Sequence, residues 1–283
     1  MAGKTISRAK SPASARAAAR PLARKTALIT GSVQGIGLAT AHALAALGAK
    51  VMLTDITRPA DLNPIVRRLR DEHGTKAAFE CADLTSEAQI DALVRSTVAA
   101  FGSLDILVNN AAVRTRESIE TIAPEDWRLA LAVNLTAPFH LIRGALPHMR
   151  TRGWGRIVNI ASGFGLMASQ RRIDYVTTKT GMIGMTKAVA LDLTGTGITC
   201  NAVCPGSTWT PRQQGRLDRL MAEEGLSEAD ALEKLRTGLG ASVFLPAESI
   251  AASVAYLCGD SGAYVTGIAL PVDGGHLAGG GWS

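Results

Sequence analysis

Two side chains that could move a proton lie one helical turn apart in the second half of the chain. Tyr175 and Lys179 stand at the ends of the sequence YVTTK, and a spacing of four residues places both on one face of a helix. A free phenol has a pKa of about 10 and is a poor base near neutral pH. A neighbouring ammonium favours the phenolate and lowers that pKa. The pair therefore indicates a base for an alcohol, although an exposed pair on an ordinary helix has the same spacing.

A glycine-rich turn earlier in the chain is typical of a nucleotide site. The sequence TGSVQGIG (30–37) follows a short apolar run and opens an amphipathic segment. Its glycines, Gly31, Gly35 and Gly37, permit a tight turn and a close approach of the backbone to a pyrophosphate at a helix N-terminus. The pattern differs from a strict GxGxxG, but its position between a strand and a helix favours dinucleotide binding.

The end of the second apolar run indicates which dinucleotide binds. Asp55 stands there, eighteen residues after Gly37, where a carboxylate accepts hydrogen bonds from the adenosine ribose and repels a 2′-phosphate. Gln34 and Ile56 are uncharged, whereas an arginine at either position would favour NADP. Only Arg58, a positive charge near the end of the second apolar run, favours NADP. We therefore predict NAD as the cofactor, with NADP less favoured.

Short β-branched runs alternate with longer amphipathic segments from Lys25 onward, which predicts parallel strands buried on both faces. The predicted strands are 26–30, 50–55, 77–81, 105–110, 155–162, 198–205 and 267–274. The predicted helices are roughly 36–48, 61–73, 86–101, 124–150, 175–194 and 249–258. Strict alternation indicates an α/β fold, a Rossmann-type doubly wound parallel sheet in a single domain over 25–283.

Residues 212–240 interrupt this alternation between the sixth and seventh strands. They predict two short helices joined near Gly225, the second capped by Ser227, with Leu232 and Leu235 as its apolar stripe. Such a pair either packs peripherally on the sheet or covers a pocket at the carboxyl ends of the strands. Its position in the chain favours a small helical lid.

The distribution of charge gives no indication of a nucleic-acid-binding surface. The first 24 residues carry six of the 30 basic residues and no acidic residue, and without them basic and acidic residues are equal in number. The rest of the chain is therefore neutral, so no nucleic acid partner is expected. The basic segment 1–24 is poor in apolar residues and predicts a disordered extension. Its composition also suits an organellar transit peptide, and a bacterial extension or a mis-assigned start stay open.

The cysteines and the hydropathy of the chain indicate the cellular compartment in which the protein is expected. The four cysteines are scattered and form no CxxC pair; they are Cys81, Cys200, Cys204 and Cys258. This pattern is typical of reduced thiols in a cytoplasmic protein. No run of eighteen uncharged apolar residues predicts a membrane span, so we expect no membrane partner. We expect no metal site either.

With these residues assembled, the chain resembles the short-chain dehydrogenase/reductase (SDR) family over about residues 25–278. The motifs that carry the resemblance are TGSVQGIG, NNAA (109–112), VNL around Asn134, IASG around Ser162, YVTTK and PGSTWT (205–210). Ser162 precedes Tyr175 by thirteen residues, which is the usual spacing in the family. One position departs from the pattern, because the family's NNAG reads NNAA, with Ala112 in place of glycine.

The resemblance implies a catalytic tetrad and a cofactor cleft. The tetrad comprises Asn134, Ser162, Tyr175 and Lys179. Ser162 would hold the substrate oxygen, and Asn134, at a helix bend, would hold a water that links Lys179 to solvent. The residues expected at the cofactor are Gly31, Ser32, Gln34, Gly35, Ile36, Gly37, Asp55, Ile56, Asp83, Leu84, Asn110, Ala111, Ala112, Tyr175, Lys179, Pro205, Gly206, Thr208 and Thr210.

The family lines its substrate pocket with the loop between the serine and the tyrosine. The residues predicted there are Ser162, Phe164, Gln170, Arg171, Tyr175 and Trp209. Arg171 and Arg172, with Arg114 and Arg116 in a neighbouring loop, could clamp the carboxylate of a hydroxy acid or keto acid. They could also face solvent or a subunit interface, and the sequence favours that alternative.

The function that the resemblance implies is NAD-dependent interconversion of a secondary alcohol and a ketone. The substrate would be a sugar, polyol, cyclic alcohol or hydroxy acid. One alternative is an NADPH-dependent 3-oxoacyl-carrier-protein reductase, against which Asp55 argues. Another is a non-catalytic dinucleotide sensor, which the complete tetrad disfavours. Because the helices at 124–150 and 175–194 usually pair across a two-fold axis in the family, we expect a homotetramer or homodimer.

Overall fold

Seven parallel strands form one central sheet in the structure, a computed structural model that describes residues 20–60, 62–238 and 243–279. The strands are β1 (Thr26–Thr30), β2 (Lys50–Asp55), β3 (Ala77–Cys81), β4 (Ile106–Asn109), β5 (Gly155–Ile160), β6 (Ile198–Pro205) and β7 (Ala269–Val272). Their order across the sheet is β3-β2-β1-β4-β5-β6-β7. The predicted doubly wound α/β fold is therefore confirmed.

Helices cover both faces of the sheet. They are α1 (Gly35–Ala46), α2 (Leu62–His73), α3 (Glu87–Phe101), α4 (Pro124–Leu131), α5 (Ala137–Arg152), α6 (Ile173–Asp192), α7 (Pro211–Glu224), α8 (Glu228–Gly238) and α9 (Ala247–Cys258). Successive side chains of a strand point to opposite faces. Ile29 of β1 accordingly packs in the apolar layer of Leu44 and Val254, whereas its neighbour Leu28 packs in the layer of Leu93.

The strand order reverses between β1 and β4, which opens a crevice at their carboxyl ends. Ile29 of β1 pairs with Val108 of β4 on one side, and Thr30 pairs with Thr54 of β2 on the other. The residues that follow these strands therefore emerge side by side. In open α/β sheets ligands bind at such a switch point, so the register itself places the glycine loop beside Asn110.

The helix predicted over 124–150 is interrupted. Residues 132–136, between α4 and α5, form a π-helical turn in which Ala137 N–H bonds Ala132 O. By length and hydropathy alone, Pro124–Arg152 is apolar enough to cross a membrane, an indication that the sequence analysis missed. Leu141 and Met149 of this helix, however, are buried in the layer between α3 and the sheet, which is ordinary for a helix flanking a sheet.

The helical pair predicted at 212–240 is present as α7 and α8, and residues 239–240 lie outside the described part. Gly225 joins the helices with a φ of 65°, a left-handed conformation that favours glycine, and Ser227 Oγ accepts the N–H of Asp230 as predicted. The predicted stripe of α8 is partly wrong. Leu235 is buried, but Leu232 is 37% exposed, and Ala231 takes the place predicted for Leu232 in the small core of the pair.

Ordered packing begins before the predicted boundary at residue 25. Residues 20–24 form a turn in which Leu22 is buried and its N–H bonds Leu47 O. The guanidinium of Arg20 donates to Gly74 O at 3.3 Å and also to His73 O. These five residues are therefore part of the domain, and the predicted extension is shortened to 1–19, which lie outside the described residues.

Candidate active site

Tyr175 and Lys179 lie on α6 and are both buried, with exposed fractions of 9% and 1%. Lys179 Nζ lies 5.6 Å from the centroid of the Tyr175 ring and donates a 2.7 Å hydrogen bond to Ile160 O at the end of β5. Burial alone raises the pKa of Tyr175. The charges of Lys179 and Arg114 lower it, as do hydrogen bonds with Ser162 and Arg114, so this pKa lies below that of a free phenol.

Ser162 lies two residues beyond the end of β5 and is the N-cap of the short 3₁₀ turn Gly163–Gly165. Its Oγ accepts the N–H of Phe164 at 3.1 Å, which fixes the hydroxyl at the carboxyl end of the sheet. Ser162, Tyr175 and Lys179 all line one cavity of about 170 Å³. The structure therefore brings three members of the predicted tetrad to a single cavity.

Asn134 occupies the π-helical turn and is fully buried. Its Oδ1 accepts Val113 N–H at 2.9 Å, and its Nδ2 donates to Val113 O at 2.8 Å and to Thr178 Oγ1 at 3.1 Å. These bonds tie the loop after β4 to α6, one residue away from Lys179. The structure places Asn134 in a π-helical turn, where the sequence analysis expected a helix bend, and the water link to Lys179 stays a prediction.

The glycine loop approaches the loop after β4 too closely for larger residues. A Cβ on Gly37 would lie 2.3 Å from Gly31 O and 2.7 Å from Asn110 Nδ2. Asn110 Nδ2 donates to the carbonyls of Thr30 and Gly31, and Thr30 Oγ1 accepts the N–H groups of Asn110 and Ala111. The two loops thus hold each other, and the backbone at Gly31 stays open to the crevice.

A second cavity of about 450 Å³ extends along the crevice from the glycine loop. Of the residues predicted at the cofactor, it is lined by Gly31, Gln34, Asp55, Ile56, Asp83, Leu84, Asn110, Ala111, Ala112 and Tyr175. The cavity around Tyr175 adds Ile36, Lys179, Pro205, Gly206, Thr208 and Thr210. A cradle of bare backbone beside an acidic strand end fits a dinucleotide.

Asp55 is the acidic residue at the end of β2. Burial raises the pKa of this carboxyl, while a 2.8 Å hydrogen bond from Ile56 N–H opposes the shift. Arg58, which weakened the prediction of NAD, packs its guanidinium 5.4 Å from the centroid of Phe79 and is not among the residues lining either cavity. The guanidinium of Arg58 therefore stacks on the Phe79 ring of β3.

Seven of the predicted site residues line neither cavity: Gly35, Gly37 and Asn134, and four whose side chains pack or point elsewhere. Ser32 is buried between β1 and β2, where its Oγ donates to Ile29 O and accepts Thr54 N–H. Gln170 and Arg171 are exposed, and Arg171 NH2 lies 3.9 Å from Glu117. Trp209 packs edge-to-face on Phe244, with ring centroids 5.1 Å apart, against the small core of the α7–α8 pair. Ser32, Arg171 and Trp209, which the motifs assigned to ligands, therefore contact other parts of the protein instead.

The structure also places residues in the site that were left open or not predicted. Arg114, Arg172, Gln213 and His276 line the cavity around Tyr175. Arg114 and Arg172 had been left open, and Arg172 is 7% exposed, with a 2.9 Å bond from its guanidinium to Thr115 O. Gln213 and His276 carry no motif that sequence reading could use, since they reach the cavity from α7 and from the turn after β7.

Comparison with known proteins decides the family. The profile of the family described as short chain dehydrogenase matches residues 25–220. The chain belongs to this family. It is 39% identical over 255 residues to a D-beta-hydroxybutyrate dehydrogenase of Rhizobium meliloti (strain 1021), covering 90% of this chain and 99% of the relative. A second D-beta-hydroxybutyrate dehydrogenase, of Cupriavidus necator, is 37% identical over 260 residues, covering 90% of this chain and 98% of the relative.

The solved structure of levodione reductase superposes with a TM-score of 0.82 at 31% identity, covering 91% of this chain and 99% of that chain. As a short-chain dehydrogenase, the protein is an oxidoreductase that acts on CH–OH groups and interconverts a secondary alcohol and a ketone. The family uses a nicotinamide dinucleotide, and the crevice is shaped to hold one.

A cluster of possible metal ligands lies outside both cavities, although no metal site was expected. His42, Glu72 and His73 come together where α1 meets the end of α2. His42 Nδ1 lies 3.0 Å from His73 Nε2 and 3.3 Å from Glu72 Oε2, and Arg68 Nε binds the other carboxylate oxygen at 2.6 Å. Hydrogen bonds and ion pairs within the protein are sufficient to account for this arrangement.

Proposed function

We propose that this short-chain dehydrogenase oxidises a small hydroxy acid with NAD, and that Tyr175 is the base. One observation carries the proposal. The Tyr175 phenol, with its lowered pKa, is buried in a cavity that also contains the Ser162 hydroxyl and two guanidinium groups.

The residues divide the chemistry between them. The bound dinucleotide supplies the hydride acceptor. Ser162 donates a hydrogen bond to the substrate oxygen and holds the hydroxyl against Tyr175. Tyr175, as phenolate, accepts the hydroxyl proton while the carbon–hydrogen bond is cleaved. The ammonium of Lys179 lies close to the Tyr175 ring and stabilises the negative charge of the phenolate.

The substrate class follows from the charges in the cavity. Arg172 and Arg114 line it, and a guanidinium binds a carboxylate through two parallel hydrogen bonds. The relatives named for hydroxybutyrate act on an acid of this kind. Both observations support a hydroxy acid over a neutral sugar, polyol or cyclic alcohol.

The preference for NAD is proposed from Asp55. Its carboxylate stands at the end of β2 in the larger cavity, where it would bind ribose hydroxyls and repel a 2′-phosphate. Gln34 and Ile56, which line the same part of the cavity, supply no positive charge.

Initial rates with NAD and NADP on 3-hydroxybutyrate, a polyol and a cyclic alcohol test the proposal. Wild-type enzyme should turn over the acid with NAD. Tyr175→Phe should lower kcat by about 10²–10⁴-fold, the usual contribution of a general base, while NADH binding, measured by fluorescence, stays intact. Tyr264→Phe is the matched control, because Tyr264 is fully exposed.

Substantial turnover by Tyr175→Phe would show that the base is another group. Tight NAD binding without turnover of any alcohol would favour the dinucleotide sensor. Preference for NADPH and a 3-oxoacyl thioester would favour the reductase alternative.

We also propose a homotetramer or homodimer in the cytoplasm. Leu129 of α4, Phe139 of α5 and Leu191 of α6 are exposed by 42%, 49% and 76%. A second copy packed against these helices would cover that apolar surface. The mass in solution, measured by light scattering, distinguishes the assembly from a monomer, and a charge at Phe139 should weaken it.

A further inference from the structure

Four arginines from three different elements lie in the lining of the cavities or directly behind it. Arg114 comes from the loop after β4, Arg172 from the N-cap of α6, and Arg212 and Arg216 from the first turns of α7. Arg114 and Arg172 line the cavity around Tyr175, and Arg114 and Arg212 line the larger cavity. Burial, followed by repulsion from neighbouring arginines, lowers the pKa values of Arg172, Arg212 and Arg216.

Within the part of the chain that the structure describes, no carboxylate forms an ion pair with any of these four guanidinium groups. The nearby acids form contacts with other groups, although Asp174 Oδ1 is buried and has no partner in the described residues. Asp174 Oδ2 accepts the N–H of Thr115 at 2.8 Å, and Glu117 lies against Arg171 on the outside of the loop. The cluster is therefore an excess of positive charge around the cavities.

The charge of Arg172 is unfavourable for the free energy of the protein without a ligand. Its side chain is 7% exposed, and its guanidinium donates one hydrogen bond to Thr115 O. Burial, followed by repulsion from neighbouring arginines, lowers its pKa to about 10, so it remains charged at neutral pH. A buried charge without a partner is unfavourable unless a ligand compensates it.

We infer that the cavity between Arg114 and Arg172 selects a hydroxy compound that carries two negative charges, in preference to a monocarboxylate. The inference rests on the proposed function and narrows its substrate class. Two carboxylates or one phosphate group would supply this charge.

The positions of the arginines in the two cavities favour a substrate with two negative charges over one with a single negative charge. Arg212 lines only the larger cavity, the one assigned to the cofactor. Arg114 and Arg172 line the cavity around Tyr175, which Arg114 shares with the larger cavity, and Arg216 stands behind Gln213, donating to its Oε1 at 3.3 Å. One carboxylate compensates one guanidinium, whereas a dianion compensates both. His276 adds a buried Nδ1 without a partner in the described residues to the same lining.

The test compares three secondary alcohols with NAD: 3-hydroxybutyrate with one charge, 3-hydroxyglutarate with two carboxylates, and glycerol 3-phosphate with a phosphate. At least one dianion should show a kcat/KM about tenfold or more above that of 3-hydroxybutyrate, and the better of the two identifies the source of charge. Calorimetry in the presence of NAD gives a readout independent of turnover, in which malonate or inorganic phosphate should bind about tenfold more tightly than acetate.

Two variants keep the inference falsifiable even if one does not fold. Arg172→Gln and Arg216→Gln should each lower kcat/KM for the preferred dianion by about fivefold more than for 3-hydroxybutyrate. Arg219→Gln, which removes the same charge from an exposed position one turn further along α7, should not change the ratio.

The outcomes separate this inference from the proposed function. If 3-hydroxybutyrate is turned over as well as both dianions, and acetate binds as tightly as malonate and phosphate, the inference is wrong and the hydroxy acid stands. If only neutral alcohols are turned over, the proposed substrate class fails as well. Equal affinity for all three anions would also show that an acidic group, such as one from a second subunit, already compensates the cluster.

Discussion

The guanidinium carbon of Arg114 lies 5.5 Å from the centroid of the Tyr175 ring, so the phenol faces a second positive charge besides Lys179. Arg114 follows NNAA and Val113 in the loop after β4, and the carbonyl and N–H of Val113 are both held by Asn134. Asn134 therefore holds the loop that presents Arg114 to the base.

Arg114→Gln should move the pH profile of the reaction to more alkaline values. The charge of Arg114 lowers the pKa of Tyr175, so its removal raises that pKa and reduces the fraction of phenolate below it. In the direction of alcohol oxidation, kcat/KM at neutral pH should fall by roughly tenfold for each pH unit that the midpoint moves. The profile is measured from pH 5.5 to 10, with Arg128→Gln as the surface control. An unchanged midpoint would show that Lys179 alone sets the pKa.

Asp55→Ala should relax the preference for NAD. Loss of the carboxylate removes both the ribose hydrogen bonds and the repulsion of a 2′-phosphate, so the ratio of kcat/KM values for NAD and NADP should fall by about tenfold or more. Asp71→Ala, at an exposed position of α2, should leave the ratio unchanged. A ratio that stays the same in Asp55→Ala would assign the preference to other residues.

Gly37→Ala should distort the glycine loop and weaken cofactor binding. Its methyl group would lie 2.3 Å from Gly31 O, which forces the glycine loop out of place, so NADH binding should weaken by about tenfold or more and thermal stability should fall. Gly184→Ala is the matched control, because a Cβ there meets nothing within 4 Å and alanine favours the helix by about 0.5–1 kcal/mol. Wild-type affinity in Gly37→Ala would rule out this packing constraint.

Thiol labelling should distinguish one cysteine from the other three. Burial raises the pKa of Cys200 to about 12, that of Cys204 to about 11 and that of Cys258 to about 12. Only Cys81 is exposed, so a disulfide reagent should modify a single thiol in the native enzyme and all four after denaturation. Cys81→Ser should remove the fast reaction. Rapid labelling of Cys204, which lies near Lys179, would indicate that the site opens in solution.

The elements of the fold were predicted well because most strands are near-continuous apolar runs. The predicted and observed strands differ by at most two residues at either end, and β1, β2, β3 and β6 agree at both. The errors have local causes. The π-helical turn around Asn134 leaves the hydropathy pattern of the helix almost unchanged, and the assignment of Leu232 to the core required knowing how α8 rotates against α7.

The site was predicted where spacing along one element determines geometry. Tyr175 and Lys179 share a face of α6 because they are one turn apart, and Gly37 meets Gly31 within one loop. Trp209 and Ser32 were assigned wrongly because their partners, Phe244 and Thr54, come from distant segments. A pattern of residue types does not show which distant segment of the chain a side chain will contact in the folded protein.

The sequence by itself determined the sheet, the glycine cradle and the tyrosine–lysine pair, since these depend on periodicity and short spacing. Only the tertiary structure decided what the neighbouring arginines do. Arg171 adopts a φ of 55°, so the chain turns between two identical side chains, sending Arg171 outward to Glu117 and Arg172 into the cavity. Arg114 joins Arg172 there across about sixty residues of chain, because the order of the strands places the loop after β4 against the start of α6.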